Sequence, residues 1–379
     1  PFLAGVLPTS AIAYLTRSLN AAAGVMISAS HNPFYDNGIK VFGPDGFKLS
    51  DEQEADIERI IKDQRQIATG SSRRETGRIH RINDARQRYC NFLKSTLPQN
   101  FSLSGMKMVL DCSNGATYSV APQLFSDLDA EIEALFAQPD GKNINKNCGS
   151  LHPESLAARV TENAADLGLA FDGDGDRLIA IDEKGSRVSG DQILALCAKV
   201  LKQTGKLSNN CVVSTVMSNF GLGQALKNLN IRHIVTEVGD RCVARAMVDH
   251  GAAVGGEDSG HMIFLDRHTT GDGLLTALIL IESMQIDSKP LSELKNIFTP
   301  SPQVLINVDV RSKPDIASIP EIVNTIQSVE DRLKGKGRVL VRYSGTQPKC
   351  RIMVEGPSEK ETRAYCRQIA DIVEEKIGN

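Results

Sequence analysis

The sequence has 379 residues, of which 41% are hydrophobic, and it carries a formal net charge of −3 with a pI near 6.2. This charge argues against nucleic acid as the main partner, because a phosphate backbone binds a basic surface. The sequence contains no run of about 18 apolar residues, so it predicts no membrane span. The eight cysteines show no Cys-x-x-Cys spacing, which favours a reduced, cytoplasmic protein over a disulfide scaffold.

Two helix starts are predicted near the beginning of the chain. Thr9 or Ser10 is suited to cap a short helix, AIAYLTRSLN. Ser50 and Gln53 form a capping-box pair before a second helix. Three isoleucines predict an apolar stripe along that second helix: Ile57, Ile60 and Ile61.

A short polar loop lies between these two helices. The apolar strand AGVMI runs into Ser30, His31 and Asn32, and Lys40 follows behind an Asn-Gly turn. A hydroxyl, an imidazole and an ammonium so close together suggest chemistry. The segment is also typical of a structural turn after a strand. A Ser-His pair for acyl transfer is disfavoured, because adjacent side chains rarely orient as nucleophile and base.

From MKMVLDCSNGA onward, strands and helices alternate, which predicts doubly wound parallel sheets. Such sheets bind ligands beyond the carboxyl ends of their strands, where the polar loops of this chain occur. After the linker-like FTPSPQ, several strands and a helix capped by Ser358 and Glu361 predict a small α+β domain.

An acidic loop follows the apolar strand LGLAF. Asp172, Asp174 and Asp176 alternate with glycines, a spacing that can wrap one hard cation in oxygen ligands. A calcium-binding EF-hand loop would place glycine where Arg177 stands. A solvated acidic turn and a phosphatase with Asp172 as nucleophile remain alternatives.

Two further loops bring polar groups together. Glu257, Ser259 and His261 follow another apolar strand and could point the same way, offering groups suited to sugar hydroxyls and proton transfer. The segment Arg342-Tyr343-Ser344-Gly345-Thr346, with Arg351, predicts an anion site. Either loop alone could be an ordinary polar turn.

At these four loops the sequence resembles the α-D-phosphohexomutase family. The phosphoserine, metal and sugar-binding motifs of that family match residues 28–33, 172–177 and 256–261, and its phosphate-binding motif matches residues 342–348 except at Gln347. Finer features resemble the branch that acts on glucosamine phosphates: FYDNGIKVFGPDGFKLS, DCSNGATY, NINKNCGSLH, VGDR and TTGDG. Asp258 stands where this branch commonly has glutamine. A further N-terminal stretch of the family has no counterpart here, so we expect a truncated first domain.

The resemblance implies an α/β fold of three related mixed domains and a smaller C-terminal α+β domain around one cleft. The expected divisions are 1–97, 98–186, 187–299 and 300–379, carrying the phosphoserine, metal, sugar and phosphate loops in that order.

The resemblance also implies a reaction. Glucosamine 6-phosphate and glucosamine 1-phosphate would interconvert through phosphorylated Ser30 and a 1,6-bisphosphate, which also serves as activator, on the path to UDP-N-acetylglucosamine and the cell wall. Partners would be a sugar phosphate and one Mg²⁺, with no nucleic acid or membrane, and the chain would be a monomer or homodimer.

Each site residue takes an expected role from the resemblance. Mg²⁺ would bind Ser30 and the acidic loop, and proton transfer and charge stabilisation would fall to Lys40 and His261, with His31 shaping the serine loop. Substrate binding is expected from the remaining site residues: Arg177, Glu257, Ser259, Arg342, Ser344, Gly345, Thr346 and Arg351. A mutase for mannose or glucose phosphates, an aspartyl phosphatase and a non-catalytic sugar-phosphate binder remain the rival functions.

Overall fold

The computed structural model of the protein describes residues 1–63, 77–344 and 347–379. The helices of this part of the chain are α1 (Thr9–Ser18), α2 (Asp51–Lys62), α3 (Ala85–Ser95), α4 (Val120–Ser126), α5 (Glu154–Glu162), α6 (Gly190–Gln203), α7 (Phe220–Asn228), α8 (Asp240–His250), α9 (Gly273–Asp287), α10 (Leu291–Leu294), α11 (Pro320–Leu333) and α12 (Glu359–Ile377). The strands are β1 (Phe2–Leu3), β2 (Gly24–Ser28), β3 (Gly38–Phe42), β4 (His80–Arg81), β5 (Lys107–Asp111), β6 (Glu131–Leu135), β7 (Leu167–Phe171), β8 (Leu178–Asp182), β9 (Arg187–Val188), β10 (Cys211–Thr215), β11 (Arg232–Thr236), β12 (Val254–Gly256), β13 (Met262–Phe264), β14 (Gln303–Asp309), β15 (Arg338–Tyr343) and β16 (Lys349–Glu355). None of these helices is long and apolar enough to cross a membrane.

The chain forms two compact units. The first contains residues 1–217 and 231–297, and the second contains residues 218–230 and 298–379. The second unit is therefore built from two separate stretches of sequence.

Two larger sheets organise the first unit. One has the strand order β6-β5-β7-β8-β9, and the other has the order β11-β10-β12-β13. In each sheet the first three strands are parallel, and the strands that follow are antiparallel. The predicted parallel sheets are thus mixed, because short turns after β7 and β12 reverse the chain at once.

The strand β7 places the acidic loop at the carboxyl end of the central strand of its sheet. Its five residues, LGLAF, are all buried. A continuous apolar run of this kind is typical of a strand covered on both faces. Its carboxyl end leads directly into Asp172, so burial of the strand fixes where the carboxylates begin.

The start of α1 differs from the prediction. Thr9 and Ser10 lie inside the helix, and Pro8 occupies the N-cap position without a side-chain cap. Their hydroxyls have other partners: Thr9 Oγ1 donates to Asp174 Oδ2 at 2.5 Å, and Ser10 Oγ lies 2.7 Å from the Tyr89 hydroxyl. Tertiary contacts therefore take both side chains away from helix capping.

The predicted capping box of α2 is confirmed, but its apolar stripe is not buried. Ser50 and Gln53 make both reciprocal hydrogen bonds. Ile57, Ile60 and Ile61 are 37%, 43% and 61% exposed within the described residues. The helix is instead held by ion pairs from Arg241 of α8 to its first turn.

The second unit has a small antiparallel sheet, β14-β16-β15, as the sequence predicts. Helix α12 packs Ile369 and Val373 into the core of this unit, and Tyr365 and Ile372 lie against that core. Ser358 caps α12 through the Glu361 amide, whereas the Glu361 carboxylate accepts from the Ser358 hydroxyl and not from the backbone.

Candidate active site

Three buried carboxylates form the centre of the candidate site. Asp172, Asp174 and Asp176 lie in the turn between β7 and β8, and their carboxylate oxygens come within 4.8 Å of one another. The backbone amide of Arg177 donates to Asp172 Oδ1 at 3.1 Å, which closes this turn. The Arg177 Nε atom lies 3.9 Å from both Asp172 and Asp176.

Lys40 supplies a counter-charge to these carboxylates. The antiparallel pairing of β2 and β3 aligns Lys40 with Met26, close behind the serine loop. Its Nζ atom lies 2.5 Å from Asp174 Oδ2 and 2.7 Å from Asp176 Oδ2. Although burial alone would lower the pKa of Lys40, the carboxylates of Asp176 and Asp174 raise it above its ordinary value.

The acidic triad is suited to a divalent metal ion. The Oδ1 atom of Asp174 is buried and has no hydrogen-bond partner among the described residues. An unpaired buried carboxylate oxygen is costly unless a cation or donor meets it. All three donors are hard oxygen ligands, which Mg²⁺ prefers. The residues therefore fit this ion.

The pKa values of Asp172 and Asp176 are shifted in opposite directions. Burial, followed by the charges of Asp176 and Asp174, raises the pKa of Asp172 well above its usual range. Burial also acts to raise the pKa of Asp176, but the Lys40 ammonium and His261 hold it well below that range. The difference follows from the partners, because Lys40 contacts Asp176 directly and contacts Asp172 through no ion pair in the described chain.

Ser30 faces this acidic loop. It has a left-handed backbone with φ of 52°, and its Oγ atom lies 3.5 Å from Asp172 Oδ2. The Nδ1 atom of His31 lies 3.4 Å from the same Oγ atom. Burial and the nearby Arg177 lower the pKa of His31 below its ordinary value. The structure thus brings Ser30, His31, Lys40 and the acidic triad together.

The predicted sugar loop is a tight turn rather than an extended segment. The Glu257 amide donates to the His261 carbonyl at 3.0 Å, and Gly260 has a φ of 89°. His261 is buried, with its Nδ1 atom 3.5 Å from Asp176 Oδ1. Ser259 is exposed at the tip of the turn. Glu257 Oε1 accepts from the Gly239 amide at 3.0 Å, which ties this turn to the start of α8.

Sequence reasoning missed a second ion pair beside the site. The Lys48 ammonium pairs with Asp240 at the first position of α8, and Asp240 Oδ2 lies 3.9 Å from His261 Nε2. Burial acts to raise the pKa of Asp240, but Lys48 and His261 lower it to about 2. The sequence contains Asp240 within VGDR, yet nothing in that pattern indicates its partner.

Two cavities adjoin these groups within the first unit. One of about 420 Å³ is lined by Lys40, Lys48, Gly239 and Asp240, among others. The other, of about 650 Å³, shares Lys48 and Asp240. Both volumes lie in the range of small-molecule sites.

The predicted anion site lies in the second unit and rests on two strands. Arg342 of β15 and Arg351 of β16 stand directly opposite each other, and neither has an ion pair among the described residues. Like charges facing each other across strands are unfavourable without a counter-ion. The pair therefore favours an anion as its ligand.

Ser344 continues this arrangement. Its side-chain oxygen accepts from the Gln347 amide at 3.3 Å, and the Lys313 ammonium donates to the Ser344 carbonyl at 2.5 Å. Lys313, which sequence reasoning missed, adds a third cation to the loop. The predicted residues Gly345 and Thr346 lie outside the described residues.

The chain matches four family models in succession. These describe phosphoglucomutase/phosphomannomutase alpha/beta/alpha domain I at residues 2–68, domain II at 87–185, domain III at 189–300 and the C-terminal domain at 305–372.

Curated relatives match over almost the whole chain. A phosphoglucosamine mutase of Syntrophus aciditrophicus (strain SB) is 57% identical over 376 residues, covering 99% of this chain and 84% of the relative. A phosphoglucosamine mutase of Syntrophobacter fumaroxidans is 54% identical over 378 residues, covering 100% and 84% respectively.

Solved structures share the fold. A phosphoglucomutase/phosphomannomutase family protein from Burkholderia thailandensis has a TM-score of 0.78 at 23% identity, covering 100% of this chain and 84% of that protein. Aspergillus fumigatus N-acetylphosphoglucosamine mutase, solved with GlcNAc-6P and magnesium, has a TM-score of 0.74 at 19% identity, covering 97% and 92%.

Proposed function

The chain belongs to the phosphoglucomutase/phosphomannomutase family, and we propose that within it the chain acts as a phosphoglucosamine mutase. The reaction interconverts glucosamine 6-phosphate and glucosamine 1-phosphate. One observation carries this proposal: Ser30 Oγ lies 3.5 Å from Asp172 in an acidic triad that also holds Lys40. The identity of 57% to a phosphoglucosamine mutase favours this substrate over mannose or glucose phosphates.

Ser30 carries the phosphoryl group in the proposed reaction. The group leaves the Ser30 oxygen for the free hydroxyl of the sugar phosphate. The hydroxyl proton passes to a base, and the departing Ser30 oxygen takes up a proton. The resulting 1,6-bisphosphate turns over and returns its other phosphoryl group to Ser30. Phosphoryl transfer depends mainly on positioning and charge neutralisation. Buried carboxylates and fixed cations around one hydroxyl meet both needs.

Asp172, Asp174 and Asp176 would hold one Mg²⁺, together with phosphorylated Ser30. A bound Mg²⁺ supplies charge neutralisation to phosphoryl oxygens. Lys40 adds a fixed positive charge beside the same carboxylates. His261, buried against Asp176, is the candidate for moving the hydroxyl proton.

The remaining residues are proposed to bind the sugar phosphate. Glu257 and Ser259 would bind ring hydroxyls, and Arg177 would bind the reacting phosphate. The loop with Arg342, Ser344 and Arg351 would bind the phosphate that does not react. The proposed division into four domains, at residues 97, 186 and 299, would give each domain one of the four loops. The free cysteines support a reducing compartment.

A direct comparison of substrates tests the proposed function. Purified protein with Mg²⁺ is given glucosamine 6-phosphate, mannose 6-phosphate or glucose 6-phosphate, each with a trace of its 1,6-bisphosphate, and formation of the 1-phosphate is measured. We expect the highest kcat/KM for the glucosamine substrate. A higher kcat/KM for either other sugar would replace the proposal with its rival, and bisphosphate hydrolysis without isomerisation would favour a phosphatase.

Arg342→Ala is expected to weaken substrate binding more than chemistry. It removes one of two opposed guanidiniums, and a lost charge-assisted hydrogen bond corresponds to a rise in KM of about 10- to 100-fold. The kcat value should change much less, because this loop offers no general base. Steady-state kinetics measure the split, and Arg367→Ala on the exposed face of α12 is the control. An unchanged KM would contradict an anion-binding role.

A further inference from the structure

The side-chain amide of Asn145 bridges two carbonyl groups of the serine loop. Its Nδ2 atom donates to the Ser30 carbonyl and to the Asn32 carbonyl, each at 2.8 Å. One carboxamide NH₂ has two hydrogens, so it can satisfy both acceptors at once. Asn145 lies 115 residues away in sequence from Ser30, so this is a tertiary contact.

The segment that Asn145 holds, residues 30–32, includes Ser30, whose backbone conformation is strained. Ser30 has a left-handed φ of 52°, a backbone conformation that residues other than glycine adopt rarely. The local hydrogen bonds run from the Ser30 amide to Ser28 Oγ at 2.9 Å and from the Asn32 amide to the Ala29 carbonyl at 2.9 Å. Asn145 adds the contacts that hold the two carbonyls on either side of His31.

Asn145 is itself fixed to the acidic loop. Its backbone amide donates to the Ser113 carbonyl at 2.9 Å. The Ser113 hydroxyl donates in turn to the carbonyl of Phe171, the residue before Asp172. Ser113 is fully buried, so this link has little freedom to move. One short path therefore joins the serine loop to the carboxylates.

We propose that Asn145 is a positioning residue that sets the Ser30 oxygen against the acidic triad. It acts through the backbone of the serine loop. This role rests on the proposed function, because it concerns the placement of the phosphate carrier. Small errors in the placement of reacting groups cost much of the rate.

Asn145→Asp is the sharpest substitution. Aspartate keeps the shape of the side chain but replaces the donating NH₂ with an oxygen that faces two carbonyl oxygens. We expect kcat to fall about 10- to 100-fold with KM within about twofold of wild type. The rate at which Ser30 gains phosphate from a sugar 1,6-bisphosphate, followed by intact mass, should fall by the same factor.

Asn143→Asp is the matched control. Asn143 lies in the same loop, but its amide donates to the Gln138 carbonyl at 2.9 Å rather than to the serine loop. Its kcat should stay within about twofold of wild type, because the side-chain hydrogen bonds of Asn143 run to Gln138 and Asp140 and not to the serine loop. An equal loss in both variants would assign the effect to loop folding and overturn the proposal, as would wild-type kcat in Asn145→Asp.

Hydrogen exchange gives a readout that needs no turnover. The amides of residues 28–32 should exchange faster in Asn145→Asp than in wild type, and they should be unchanged in Asn143→Asp. Unchanged exchange in Asn145→Asp would overturn the proposal even if wild type proved inactive, whereas wild-type inactivity alone would count against the proposed function. Should Asn145→Asp fail to fold, Asn145→Ser, too short to bridge both carbonyls, takes its place with the same expected results.

Discussion

Ser30→Ala is expected to abolish mutase turnover, with a loss of about four orders of magnitude or more, as removal of a nucleophile does elsewhere. The fold should persist, because the hydrogen bonds of Ser30 Oγ to the described residues are long, at 3.4 Å to His31 and 3.5 Å to Asp172. Formation of glucosamine 1-phosphate measures the loss. Intact mass of wild type incubated with sugar 1,6-bisphosphate should show an added phosphate that Ser30→Ala lacks.

The chemistry of the label separates Ser30 from Asp172 as carrier. Asp172 follows directly after a strand, and its carboxylate lies 3.5 Å from Ser30 Oγ, so by position alone either side chain could carry the phosphoryl group. A phosphoserine ester survives hydroxylamine, whereas an aspartyl phosphate is cleaved by it. We expect label from radioactive substrate to survive and to map to the peptide with Ser30. Loss of label to hydroxylamine, or retention of label in Ser30→Ala, would favour the aspartyl phosphatase.

Asp174→Asn is expected to lower turnover at least about 100-fold, since charge stabilisation by a metal ion corresponds to several kcal/mol. The Oδ2 atom of Asp174 accepts hydrogen bonds from both Thr9 and Lys40. Its Oδ1 atom, which has no partner among the described residues, is therefore left to bind a metal ion. An amide at this position would remove one negative charge and weaken the binding of Mg²⁺. Activity measured across a Mg²⁺ titration should show both a lower maximum and a higher half-saturating concentration.

Asp129→Asn is the control for that experiment. Asp129 is exposed, and its φ of 70° suits asparagine at least as well as aspartate. Its Mg²⁺ titration should match wild type. If Asp174→Asn also matched wild type, the assignment of the metal to this triad would be wrong.

The parts of the site that lie in short continuous segments could be predicted from the sequence. Asp172, Asp174 and Asp176 follow a strand whose five residues are apolar, so both the strand and the acidic turn are local signals. The capping pair Ser50 and Gln53 is local in the same sense.

The contacts that join distant segments could not be predicted. Thr9 binds Asp174 across 165 residues, and Asn145 binds Ser30 across 115. A lone threonine at a helix start favours a cap by every local rule, and only the tertiary fold gives its hydroxyl another acceptor. The helix α2 forms as predicted, but the pattern of its isoleucines could not show that the stripe stays exposed: ion pairs from Arg241 hold the helix, and Ile61 is 61% exposed.

The position of Lys40 has a consequence for how the protein tolerates changes in metal supply. Buried carboxylates this close together would repel one another without a counter-ion. Lys40 is covalently part of the chain and contacts two of them, so some neutralising charge stays in place when ions exchange with solvent. We therefore expect the fold to form without a bound metal ion. A chelator should abolish activity without denaturing the protein.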